Sequence, residues 1–182
     1  MTLRISFELN EDDLNHFRLI MDEARKAAVR MAPEDIVAGA EDLLQNVGDT
    51  NAPGFIVDRL RKLRLMIDMI SDLEWRLPHY DTVRVLNALA YFANPEDLIP
   101  DDIPGLGFLD DAIMIELVVR ELKHEIEAYQ DFCDYRDRTR REQGDGAEIS
   151  RGGWLHDRRK ALQSRMRRRR KGGPRLFRKA RT

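Results

Sequence analysis

Two segments of this 182-residue sequence carry enough charge at close spacing to do chemistry, and their signs are opposite. The acidic one, DLIPDDIPGLGFLDD at residues 97–111, sets Asp97, Asp101, Asp102, Asp110 and Asp111 among prolines, glycines and apolar residues. Hard divalent cations take carboxylate oxygens, so convergence of these side chains, Asp101, Asp102, Asp110 and Asp111 foremost, would make a cation site. The spacing matches no calcium loop and no histidine lies near, which favours a structural corner between two helices over a metal centre. Each of Pro95, Pro100 and Pro104 interrupts a helix, and Gly105 and Gly107 allow close packing or positive backbone angles. Asp110 and Asp111 then fall in the first turn of the next helix, where negative charge is favourable.

The basic segment is WLHDRRKALQSRMRRRRKGGPRLFRKART, preceded by Arg151. Its cations are Arg151, Arg158, Arg159, Lys160, Arg165, Arg167, Arg168, Arg169, Arg170, Lys171, Arg175, Arg178, Lys179 and Arg181, and Trp154 and Phe177 are candidate stacking surfaces. Fourteen cations in residues 151–182 need water or an anionic partner, and arginine outnumbers lysine eleven to three. That bias suits bidentate phosphate contacts and stacking on exposed bases, so the expected partner is structured RNA, plausibly a ribosome. The alternative is an anionic membrane surface, with Trp154, Leu155, Leu162, Met166, Leu176 and Phe177 inserting shallowly. A third reading is a tail that only offsets the charge of the rest of the chain. That charge is large: residues 1–150 hold 17 Lys and Arg against 32 Asp and Glu, and residues 151–182 hold 14 against 1.

Catalytic chemistry finds no carrier. His16, His79, His124 and His156 are dispersed, and His124 beside Glu121 or Glu127 reads as a surface charge pairing. Cys133 sits at an apolar helix position. No phosphate-binding glycine loop, nucleophile elbow or paired zinc motif occurs. The sequence thus predicts a non-enzymatic protein with no cofactor. A single cysteine and the lack of a basic stretch leading into an apolar signal core give a cytoplasmic expectation. The longest apolar stretch, residues 103–119, carries Asp110, Asp111 and Glu116, which argues against a lipid-spanning helix.

The elements that must position these residues read as helices after one strand. Leu3, Ile5, Phe7 and Leu9 alternate with polar residues, the period of a half-buried strand. Its edge would be satisfied by pairing with the same strand of a second copy, giving a homodimer, or the segment would lie as a strap across the helices. Asn10, with Asp13 three residues on, predicts a helix start running to about Arg30. A short helix follows from Pro33 to Gly48, a third over residues 55–77, a fourth from about Thr82 to before Asn94, and one long helix from Leu109 to about Arg141. The organisation expected is an N-terminal strand or strap at 1–10, a helical domain at 11–142, a flexible linker at 143–153 and an arginine-rich tail at 154–182, ordered on a partner. The fold class is all-α, a compact bundle of about five helices.

The ordered recurrence of Pro, Gly and Asp in NPEDLIPDDIPGLGFLDD, followed by AIMIELVVREL, resembles the core motif of the YkvA-like family, a bacterial domain of unknown function. The motif covers about residues 91–122. The resemblance implies a small helical domain, with some relatives membrane-associated, and supplies no activity and no catalytic residue. The N-terminal region and the basic tail lie outside it.

Overall fold

The computed structural model describes residues 8–48, 53–93 and 108–171, and every regular element among them is helical. In chain order these are α1 (Glu11–Ala28), α2 (Pro33–Gly48), α3 (Gly54–Ser71), α4 (His79–Leu89) with a 3-10 turn at Ala90–Ala93, α5 (Leu109–Glu121), α6 (Lys123–Gln143) and α7 (Arg151–Lys171). The all-α class holds, but the described residues form seven α-helices where about five were expected. One extra helix comes from a break in the expected long helix at Leu122, whose backbone (φ -99, ψ 19) leaves the helical region. The other is α7, built from the segment expected to order only on a partner. The predicted strand, and the pairing suggested for it, lie outside the described residues except for Glu8 and Leu9, which are not in a strand.

The chain divides into two units, Met1–Tyr129 and Gln130–Thr182. That boundary falls inside α6. The connection between α6 and α7 is confined to residues 144–150.

In the first unit, local chemistry sets the helix ends. Asn10 caps α1, its side chain accepting from the amides of Asp12 and Asp13 at 2.8 and 3.0 Å, while the Asp13 carboxylate accepts from the Asn10 amide at 2.9 Å. That reciprocal box satisfies amides the first turn would otherwise leave without partners. At the end of α3 the Asp72 carboxylate accepts from the amides of Glu74 and Trp75 at 2.9 and 3.0 Å, turning the chain six residues before the predicted end at 77. Its other oxygen accepts from Tyr129 Oη at 2.9 Å, and the Tyr129 ring packs on buried Trp75 with centroids 5.6 Å apart.

The core is centred on α3, which buries Ile56, Leu60, Leu63, Met66, Ile67 and Met69 and packs against α5 and α2. From α5 come Ala112, Met114, Ile115, Leu117 and Val118, and from α4 Val85, Leu86, Ala88 and Leu89. Removing one such side chain to Ala costs about 2 to 5 kcal/mol. One contact depends on glycine: a Cβ at Gly39 of α2 would lie 2.5 Å from Ala93 Cα and 2.9 Å from the Phe92 carbonyl oxygen. Only a residue without a side chain lets α2 approach the 3-10 turn this closely.

Ion pairs tie the helices at the surface of this unit. Arg25 of α1 donates to Glu121 of α5 at 2.6 Å and to the Asn87 carbonyl of α4 at 3.3 Å. Arg84 of α4 pairs with Glu125 in the first turn of α6.

Candidate functional site

The second unit is a helical hairpin that places the basic segment. Its assembly starts at Ser150, whose Oγ accepts from the Gly153 amide at 3.1 Å and so caps α7. One turn on, Trp154 is buried against Phe132 of α6, edge to face at 6.4 Å, and its Nε1 donates to the Asp131 carboxylate at 2.8 Å. Arg158, one further turn along, pairs with the same carboxylate. Asp157 pairs with Arg138 of α6 at 3.0 Å, and the Arg136 and Arg138 guanidiniums stand over the Phe132 and Tyr135 rings at 5.5 and 5.7 Å. Ile149 and Thr139 close the small core.

Trp154 therefore occupies the hairpin interior and is not displayed as a stacking platform, and Arg158 is an internal tie. From Arg159 onward the helix changes role. Arg159, Lys160, Arg165, Arg167 and Arg168 are exposed, and none of them is paired with a carboxylate among the described residues. Arg151, at the helix start, is half-buried. The helix backbone continues through Arg169, Arg170 and Lys171, while Arg175, Phe177, Arg178, Lys179 and Arg181 lie outside the described residues. With 21 residues, α7 is about 30 Å long at about 1.5 Å per residue.

Cations surround the whole circumference of α7, but its exposed apolar residues do not. Leu155, Leu162 and Met166 follow at i, i+7 and i+11, which places them within about 40° of one another around the axis at 3.6 residues per turn. They are 50%, 58% and 58% exposed. Arg159 flanks this stripe on one side and Arg165 on the other. The arrangement offers a narrow apolar line within a broad field of positive charge. Residues 130–182 hold 18 Lys and Arg against 7 Asp and Glu, whereas residues 1–129 hold 13 against 26.

The hairpin's partner residues on α6 were not singled out from sequence. The signal was there, since Phe132 and Tyr135 at i and i+3, with Thr139 at i+7, fall on one helix face within turns that are otherwise rich in charge.

Of the acidic corner, Asp97, Asp101 and Asp102 lie outside the described residues, and Asp110 and Asp111 are buried in the first turn of α5. Tyr91 Oη donates to Asp110 at 3.3 Å. Phe108, which precedes α5, is itself buried and takes a left-handed conformation (φ 64, ψ 11), an uncommon one for a bulky residue. Among the described residues no group of three or more His, Cys, Asp or Glu side chains is placed to hold a metal ion. His124 lies 3.8 Å from Glu127 on the surface, as the charge-pair reading has it. His16 packs edge-on to Phe17 and His79 opens α4. Half-buried Cys133 accepts from Arg136 at 3.4 Å.

No helix of the described residues is long and apolar enough to cross a membrane. No solved structure matches the chain. The profile of the family described as "Protein of unknown function (DUF1232)" matches residues 83–117, which run from α4 across the acidic corner into α5. The chain is also 36% identical over 77 residues to the "Uncharacterized membrane protein YkvA" of Bacillus subtilis (strain 168), an alignment covering 39% of this chain and 71% of that protein. The aspartate-, proline- and glycine-rich segment at residues 94–111 lies within the span that the profile matches, and the chain belongs to the YkvA-like family of DUF1232 proteins.

Proposed function

We propose that this chain is a non-enzymatic adaptor that docks peripherally on an anionic membrane surface through α7. The observation that carries the reading is the outward line of Leu155, Leu162 and Met166 set among exposed cations that no carboxylate of the described residues pairs with. Basic residues near anionic lipid contribute about 1 kcal/mol each, and a helix lying in the interface buries an apolar strip between them. The relative's description as a membrane protein supports the same reading. Unit 1, with its excess of carboxylates, would be repelled by an anionic surface, which leaves α7 as the docking element.

Flotation of the full chain with vesicles tests it. Binding is expected to vesicles containing phosphatidylglycerol, to weaken with salt, and to fall on joint substitution of Leu155, Leu162 and Met166 by Ser. Equal binding to purely zwitterionic vesicles, or indifference to the three Ser substitutions, would overturn it.

A second reading, binding of structured RNA or a ribosome through the same segment, is favoured by the excess of arginine over lysine, eleven to three in residues 151–182. It would rest on the arginines and on Phe177, since the indole of Trp154 is committed to Asp131. Its signature is movement with ribosomal particles that ribonuclease abolishes. Vesicle binding that survives ribonuclease is the signature of the membrane reading.

A further inference from the structure

A groove in the first unit, remote in sequence from α7, has its own chemistry. It lies between the start of α1, the start of α3 and α5, with a volume of about 400 Å³. Residues 109, 113, 116 and 120 recur at i, i+4, i+7 and i+11, so one face of α5 lines it from end to end. Leu14, Phe55 and Ile113 are among its apolar lining, and Phe55 is 45% exposed although large and hydrophobic.

The polar groups are gathered around one carboxylate. Glu116 accepts from Arg120 at 3.1 Å and pairs with Arg59 at 3.5 Å. Two guanidiniums sharing one carboxylate leave a positive charge beside the apolar lining, among the described residues of the groove. Each guanidinium has five donors in a planar fork, and one carboxylate cannot use all of them. An anionic group placed beside Glu116 would find donors already oriented, with an apolar channel for whatever is attached to it.

We infer that this groove binds a single fatty carboxylate, its head on Arg59 and Arg120 and its chain along Phe55 and Ile113. The volume falls in the lower part of the range typical of small-molecule sites, about 300 to 1,000 Å³, which suits one chain better than the two of a phospholipid. The inference is independent of docking by α7 and goes beyond it.

Calorimetric titration of the full chain with dodecanoate, below its micellar concentration, tests the site. Saturable binding to one site is expected. Ile113→Trp, which fills the channel, and the joint substitution Arg59→Gln with Arg120→Gln should each weaken it by roughly tenfold or more, the scale of a lost charge-assisted hydrogen bond. The Arg pair should leave the weaker binding of dodecanol unchanged. Far-UV circular dichroism verifies that each variant is folded, and if Ile113→Trp is not, the Arg pair decides alone. Absence of saturable binding, unchanged affinity in the Arg variant, or dodecanol binding as tightly as dodecanoate would overturn the inference. So would loss of dodecanoate binding when the exposed cations of α7 are replaced by Gln, since that result would move the site to α7.

Discussion

Arginine is used in opposite ways in the first unit and along the outer turns of α7. In Met1–Tyr129 the guanidiniums of Arg18, Arg25, Arg59, Arg61, Arg64, Arg84 and Arg120 each lie within reach of a carboxylate, and Arg25 and Arg84 join different helices. On α7 the first turns follow the same habit, with Arg158 on Asp131. From Arg159 to Arg168 the habit stops, although five of these ten residues are basic. The comparison teaches that charge density alone does not mark a binding surface. What marks it is cations that the fold has not used.

The largest effect expected from this contrast is on binding. Replacing Arg159, Lys160, Arg165, Arg167 and Arg168 together by Gln should remove about 5 kcal/mol of affinity for anionic vesicles, at about 1 kcal/mol each, while leaving the melting temperature unchanged. Flotation and thermal denaturation read the two halves of that statement. A fall in melting temperature would mean that these cations serve the fold after all.

Next comes the anchor. Trp154→Ala empties the hairpin core and leaves Asp131 with Arg158 but without the indole donor, and should cost about 3 kcal/mol, seen as faster amide exchange throughout α7. Gly39→Ala should destabilise the first unit by about 2 kcal/mol through overpacking against Ala93, read by denaturant unfolding. The smallest effect separates the two uses of arginine most directly. Arg25→Gln, which breaks a tie between α1 and α5, should cost about 1 kcal/mol of stability, whereas Arg165→Gln should cost nothing measurable.

The parts of this architecture that were legible in the sequence are those written in local chemistry. Asn10 and Asp13 announced α1 and Pro33 opened α2. The end of α3 was missed because apolar spacing continues to Leu77, while a single side chain, Asp72, takes the amides that follow. The break at Leu122 is one residue wide and carries no glycine or proline, so the apolar stripe passes through it undisturbed. The helix α7 was missed for a different reason: cations surround it on all sides, so it lacks the face by which a packed helix is recognised. Its residues are nevertheless good helix formers, with Arg, Lys, Ala, Leu, Gln and Met prominent. The site was legible in composition, but the separation of Trp154 and Arg158 from the outward cations needed Asp131, whose role depends on a contact 23 residues away.

That α7 is already a helix bears on the thermodynamics of any encounter. Fixing the backbone of a free chain costs about 1 to 2 kcal/mol of conformational entropy per residue, a penalty that a segment folding on its target meets at the moment of contact. Here the hairpin has met it beforehand for α7, with Trp154 and Asp131 holding one end. Docking through this helix should consequently show the modest heat-capacity change of rigid association, without the large signature of coupled folding.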